Sequence, residues 1–462
     1  MRSITHQPGW SHDDVLAIAA TWPAQQPLAV LHSGGSAGPW ARWSVMAPPR
    51  GHLQVNANGY SWNGPAWPEL EERLDKSDSR DPLAIIDAAV SADRQETIEQ
   101  NCRLPFVGGW MVSLRYELGS HIEPASRSTE HDETGPLADL LWCPDAIVHD
   151  GQADQWWQIG DVNVETCQSH SFSPLQVDDW NSQPDRNGFE AAVAKTIELI
   201  RRGDLFQANI ARQLSTTCKG DLRGFALDAL ARSGAWFGCW LELPGKMDDR
   251  AILGLSPELF LDLDAESRLL RTRPIKGTCS AEEQAIDLAH SAKDAAELNM
   301  IVDLMRNDLG RVCSIGSIQV SQPRTVESHP TVHHGVAEVS GELKQGRTVG
   351  DLLRAAFPPG SVTGAPKIRA MQVINELEDQ KRGAYCGAVG CLSTNGDLRL
   401  GVSIRTVAFH GKTSHGFRDA CGTLQYGTGC GIVADSIPAN EYRESELKAE
   451  ALMRITPGPV TS

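Results

Sequence analysis

No apolar run in the sequence approaches the ~20 residues of a membrane-spanning helix. The opening MRSITHQPGW also lacks the apolar centre of a secretory leader. Both absences point to a cytoplasmic protein. Basic runs are missing as well: 42 lysines and arginines stand against 59 aspartates and glutamates, a formal net charge of -17. A surface of that sign repels phosphate backbones and anionic lipid headgroups, so neither nucleic acid nor a membrane is expected as a partner. The 11 cysteines are odd in number and form no CxxC framework, which reads as free thiols in a reducing compartment. None stands in a GxCxG elbow, since Thr428 occupies the place two before Cys430 where glycine is needed. There is thus no sequence sign of a cysteine-nucleophile amidohydrolase in this chain. No internal repeat or low-complexity tract stands out.

What is present suits a soluble protein with a large core: 462 residues, 41% hydrophobic and 22% charged. Residues 1–185 are irregular, with short strand-like runs such as PLAVLHSG (27–34) and GGWMVSLRYELG (108–119). The polar, proline-bearing segment 168–187 is the candidate boundary, and 186–458 forms a second region. That region opens on a helix, with Phe189, Val193, Ile197 and Ile200 on one stripe and Gly203 as its stop. ILGLSPELFLDLD (252–264) alternates through its leucines and reads as one strand, with Pro257 marking an edge or bulge and Glu258 on the face opposite the leucines.

Two residues stand out in the stretch 271–311. In RPIKGT, Pro274 and Gly277 bracket Lys276 and predict a short constrained turn that aims a long side chain. In the following helix Leu298, Ile301, Val302, Leu304, Met305 and Leu309 recur at threes and fours, and Glu297 lies on or beside that stripe. A carboxylate there needs a metal ion, a lysine or an arginine as partner, unless it reaches water at the boundary. Further on, AFPPGSVTGAPKIRAMQVINELE (356–378) predicts a helix capped by Thr363 with Pro366 in its first turn, whose free amides could seat an anion. AYCGAVGCLS (384–393) and DLRLGVSIRTVAF (397–409) read as neighbouring strands. Arg405 on the second is placed either to hold a carboxylate or to be solvated. In TLQYGTGCGIVADS (423–436), Gly429 and Gly431 allow backbone to approach an anion closely. The last helix stacks Glu441, Glu444, Lys448 and Leu452 on one stripe, and for a lone helix Glu444 and Lys448 would be a surface ion pair worth ~0.3–0.5 kcal/mol.

The ordered set SPE (256–258), RPIKGT (273–278), AELNMIVDLMRNDLGR (296–311), TVHHGV (331–336), GSVTGAPKIRAM (360–371), SIRT (403–406), GIVADS (431–436) and EYRESELK (441–448) resembles the chorismate-utilising enzymes. The likeness covers roughly residues 185–455, and the N-terminal part more loosely through LHSG (31–34). It implies an α/β (α+β) fold, a two-layer antiparallel β-sandwich flanked by helices, with a Mg2+-dependent site between the layers. By that resemblance Glu297 and Glu444 are Mg2+ ligands with Glu441 close by. Gly429, Cys430, Gly431 and Lys448 would hold the ring carboxylate of chorismate, and Arg405 with Tyr385 the enolpyruvyl carboxylate. His334 and Thr363 match active-site positions, and the N-terminal lobe could bind tryptophan. Cys430 departs from the pattern, where glycine or alanine is more usual.

Lys276 discriminates within the family. PIKGT resembles the branch forming 4-amino-4-deoxychorismate, while the anthranilate-forming branch usually reads PIAGT. The resemblance implies that a neutral Lys276 attacks C2 while Glu258 protonates the departing C4 hydroxyl. Gln207 stands where the isochorismate-forming and salicylate-forming members carry a water-activating lysine, which favours ammonia as nucleophile. Since no glutaminase is visible, a separate glutamine amidotransferase subunit is the expected partner. The alternatives are an anthranilate-forming enzyme and, from another class, a non-catalytic tryptophan-binding regulator.

Overall fold

The computed structural model describes residues 3–8, 10, 14–34, 38, 40–94, 103–126, 135–164, 172–280, 282, 285–328 and 332–453. Its frame is a pair of antiparallel sheets, 13-stranded and 11-stranded among the described residues. Ala29, Val45, Leu241 and Ile252 of the larger sheet meet Met111, Leu141 and Val389 of the smaller one in a shared core. Helices Val15–Thr21 and Leu222–Ser233 cover the larger sheet through Ile18, Phe225, Leu230 and Trp240. Helices Pro82–Asp93, Ala292–Gly310 and Lys367–Leu377 contribute Ile86, Leu298, Ile301 and Ile374 to the core of the smaller. The layered α/β sandwich expected from the sequence is the fold observed.

The candidate boundary at 168–187, of which 168–171 lie outside the described residues, interrupts neither sheet. Leu31 pairs with Cys239 in the larger sheet and Val112 with Gly390 in the smaller, so each sheet joins a block of strands from before that segment to a block from after it.

The sequence 252–264 is two strands rather than one. Asp249–Ser256 belongs to the larger sheet and Leu259–Asp264 to the smaller, and the chain passes between them at Pro257–Glu258. Leu253 and Leu255 therefore serve one core, and Leu261 and Leu263 another. An imino acid with no N–H to donate suits a crossing where no ladder continues. The sequence 397–409 divides in the same way: Leu398–Val402 lies in the smaller sheet and Thr406–Thr413 in the larger. The two crossings lie side by side. Val402 N–H donates to Glu258 C=O at 2.9 Å and Leu255 N–H to Arg405 C=O at 3.0 Å, while Gly254 pairs with Thr406 and Leu259 with Gly401.

The helix Arg186–Arg201 starts on Asp185, whose carboxylate accepts from Gly188 N–H, and stops before Gly203 in the left-handed region, as the spacing predicts. Thr363 does not cap the helix after it. Its hydroxyl donates to Pro359 C=O at 2.8 Å, closing a short 3-10 turn, and Pro366 is the N-cap of Lys367–Leu377 rather than part of its first turn.

Candidate active site

Glu258 owes its position to the first crossing. Its side chain is buried, Ile275 N–H donates to it at 3.4 Å, and the Ser361 hydroxyl bonds it as well. Burial raises its carboxyl to about 7, against the lowering pull of Ser361, Lys276 and Ile275. Such a group can hold and release a proton near neutrality.

Lys276 follows Ile275 on the edge strand Ile275–Ser280. The register against Val332–Glu342 slips between Ile275 and Thr278, so Lys276 and Gly277 form a bulge within a strand, not the predicted turn. Gly277 has φ +82°, and a side chain there would press on Asp294 and Leu288 at 2.9 Å. The bulge sends the lysine across the gap between the sheets. Its Nζ lies 3.1 Å from where a Cβ on Gly431 would stand, and Nε2 of Gln207 lies 2.5 Å from the same point. Gly431 is on the larger sheet, so the amine spans both layers. Among the described residues that Nζ makes no hydrogen bond or ion pair. Burial holds its ammonium below the usual value, opposed by Glu297 and Glu258 and reinforced by Lys448.

On the other side of the gap, the strand Ala420–Ile432 is paired by Thr406–Thr413 only as far as Tyr426, so residues 427–432 have Gln207–Gly220 as their one ladder neighbour. Lys448 Nζ takes the Gly429 carbonyl at 2.9 Å and Glu444 at 2.7 Å. The pair is half exposed, as a surface ion pair is, and is in addition tied to the strand through Gly429. Burial would depress the Lys448 ammonium, but Cys430, Glu444 and Glu441 leave it raised. Tyr385 packs its ring on Gly427, where any side chain would overlap it. Arg405, with φ +51° at the second crossing, makes no side-chain hydrogen bond or ion pair among the described residues. Burial lowers its guanidinium against the opposing effect of Tyr426. A half-buried guanidinium left without a counter-ion is a ready seat for an anion.

The acidic group comes from two helices. Glu441, buried, and Glu444, half exposed, lie on Pro438–Met453. Their carboxylate oxygens and Cys430 Sγ fall within 4.8 Å of one another. Glu297 approaches from Ala292–Gly310 and is not within that trio, although its carboxyl is raised by burial, against Lys276 and Lys293, and further by Glu441. Carboxylates gathered from two helices suit a hard divalent cation, which takes one or two of them and leaves its other positions to water and substrate oxygen.

The remaining candidates surround this centre. Gln207 is fully buried at the start of its strand, and neither of its amide atoms has a partner among the described residues. His334 is buried with Nδ1 2.8 Å from the Thr278 hydroxyl. Thr363 is fully buried and its carbonyl accepts from Asn209 N–H at 2.8 Å. From LHSG, Leu31 and His32 line a small apolar cavity between the sheets with Trp40, Phe106, Trp236 and Phe237. Sequence reasoning missed Ser361 and Thr278 as hydroxyl partners of Glu258 and His334. Both lie inside quoted motifs, and only the packing reveals what they touch.

A buried acid beside a half-buried amine, with a guanidinium and a carboxylate cluster on neighbouring segments, makes this the candidate site. The model of the chorismate binding enzyme family matches residues 58–454, and the chain belongs to that family, whose members act on chorismate. Aminodeoxychorismate synthase component 1 of Escherichia coli (strain K12) is 35% identical over 443 residues, 92% of each chain. Anthranilate synthase component 1 of Aquifex aeolicus (strain VF5) is 37% identical over 282 residues, 60% of this chain and 54% of that one. The crystal structure of anthranilate synthase component I from Streptococcus pneumoniae TIGR4 superposes with a TM-score of 0.72 at 29% identity, covering 91% of this chain and 93% of that one. The protein is thus a chorismate-utilising enzyme.

Proposed function

We propose that the chain is the chorismate-aminating component of an aminodeoxychorismate synthase, making 4-amino-4-deoxychorismate on the route to 4-aminobenzoate and folate. The observation that carries this reading is the Lys276 amine, unpaired among the described residues and set against Gly431 beside the raised acid Glu258. The lone pair of neutral Lys276 forms a bond to ring C2, the ring double bonds shift, and the C4–oxygen bond breaks. The hydroxyl leaves as water with the proton of Glu258, and the new secondary ammonium gives its proton to solvent. Ammonia then bonds to C4, the double bonds shift back, and the C2–nitrogen bond breaks. The proton shed by the incoming nitrogen restores the lysine, and the pyruvyl group is retained.

Arg405 and Tyr385 would hold the enolpyruvyl carboxylate, while Gly429–Gly431 and Lys448 would face the ring carboxylate. His334 and Thr363 would line the same gap. A Mg2+ ion on Glu297, Glu441 and Glu444 would supply positive charge against the ring carboxylate. Gln207 carries no basic nitrogen to activate water, which suits ammonia as the nucleophile. A separate glutamine amidotransferase subunit would deliver that ammonia, and ammonium salts would replace it in the test tube. A tryptophan bound in the N-terminal lobe would require the cavity under Leu31, about 50 Å³ as it stands, to open.

Anthranilate formation is the second reading, favoured by the identity to the Aquifex aeolicus relative over the shared stretch. Incubation with chorismate, Mg2+ and an ammonium salt followed by mass analysis separates the two. A product that keeps the enolpyruvyl group is expected; anthranilate with free pyruvate would overturn the proposal.

A further inference from the structure

Cys430 enters the chemistry above only through the backbone run Gly429–Gly431, yet its sulfur sits inside the acidic group. The side chain is buried, donates to the Glu441 carbonyl at 3.3 Å and lies 3.9 Å from Lys448 Nζ. With the Glu441 and Glu444 carboxylates it forms the trio within 4.8 Å. A zinc-like ion holds sulfur at ~2.3 Å and carboxylate oxygen at ~2.0–2.2 Å, so two donors on one ion stand at most about 4.5 Å apart. The 4.8 Å limit of the trio lies just beyond that, so the three donors must draw together on an ion and Glu444 must give up Lys448, to which it is paired at 2.7 Å. The donor set is then mixed: two hard oxygens and one soft sulfur. Mg2+ gains little from sulfur, whereas borderline and soft divalent ions prefer it.

We propose that Cys430 makes the cation site thiophilic, so that Zn2+, Co2+ or Cd2+ binds through Cys430, Glu441 and Glu444 in competition with Mg2+. This rests on the reading above that Glu441 and Glu444 serve the enzyme's divalent ion. On binding, the S–H bond breaks, its proton passes to solvent, and the sulfur electron pair forms the bond to the metal; nothing is oxidised or reduced. A soft ion seated there takes over the carboxylates that Mg2+ requires and lowers amination, a sensitivity that alanine or glycine at this position would not confer.

The test is titration of the purified full-length chain with Co2+, followed by near-ultraviolet absorption for the thiolate-to-cobalt charge-transfer band. The native protein shows the band, and Cys430→Ala and Cys430→Ser lose it. In these variants Zn2+ affinity, read by calorimetry, falls on the order of 10–100-fold, while Mg2+ still binds. The serine variant keeps the volume and a hard donor, so loss of its band reports the sulfur rather than a collapsed core. Cobalt binding without the band, no cobalt binding, or a band that survives both substitutions would overturn the proposal. The product assay is independent: anthranilate as product sinks the functional reading and leaves the band untouched, whereas a missing band beside an aminated, enolpyruvyl-bearing product sinks only the sulfur ligand.

Discussion

At Glu258 the cost of burying a carboxylate is coupled to the chemistry that needs one. Its ordinary pKa of 4.5 is raised to about 7 by burial in the folded chain. Below about pH 4.5 both folded and unfolded forms carry the proton; between there and 7 only the folded form keeps it, so stability falls as pH rises, by up to about 3 kcal/mol at ~1.4 kcal/mol per unit. Glu258→Gln imitates the protonated acid and escapes that loss. Urea unfolding of the two proteins between about pH 5 and 8 should show the variant gaining on the native chain as pH rises; parallel curves would refute a raised carboxyl. The same substitution should lower amination by about 10²–10⁴-fold, the usual contribution of a general acid. Lys276→Ala should leave no aminated product, and a variant with unchanged rate and product would rule out a covalent role. Glu297 was visible as an odd residue beside an apolar stripe, whereas Glu258 read as the polar face of a strand and gained its role only from the resemblance. The setting of Cys430 was not visible, because the carboxylates around its sulfur come from a helix that begins eight residues later.

At the level of strands and helices, the glycines at the site work by omission. Gly431 leaves room for both the Lys276 amine and the Gln207 amide, and a methyl group would meet Gln207 Nε2 at 2.5 Å and Lys276 Nζ at 3.1 Å. Gly431→Ala should therefore fold with an unchanged far-ultraviolet dichroism spectrum and lose on the order of 100-fold in kcat, the effect of misplacing a reacting atom by about 1 Å. A drop confined to KM would mean that the glycine serves substrate fit alone. The helix Ala292–Gly310 could be read from its stripe because helical period survives any tertiary setting. The strands around Pro257 and Arg405 could not be parsed, since an alternation of two looks the same whether or not the chain changes sheets in the middle. The bulge at Lys276 was mistaken for a turn for a related reason: proline and glycine mark a bend without saying what pairs across it.

Across the whole molecule, strands from the first 185 residues form one end of each sheet and join the later strands through the pairs Ala29–His32 with Phe237–Leu243 and Gly109–Leu114 with Ala388–Ser393. Arg223 reinforces this union. Buried completely, it pairs with Glu242 at 2.6 Å and donates to the carbonyls of Trp22, Pro23, Ala24 and Gln26. A chain beginning at residue 186 would leave the strand Phe237–Leu243 without its neighbour Ala29–His32, and Ala388–Ser393 without Gly109–Leu114. Such unpaired edges invite aggregation. The truncated chain should accumulate as insoluble protein, and a soluble product with a cooperative unfolding transition would establish the second region as a domain in its own right. The polar, proline-bearing segment 168–187 suggested a boundary, but composition carries no information about pairing partners.

The neighbouring passages at Pro257–Glu258 and Ser403–Arg405 have a mechanical consequence. Covalent backbone of a few residues, each spanning at most ~3.5 Å, rivets one layer to the other beside the acid and the arginine, so the jaws cannot part there. Glu441 and Glu444 ride instead on a helix joined to the larger sheet through residues 433–437 and held to it by the Thr428 and Lys448 side-chain bonds.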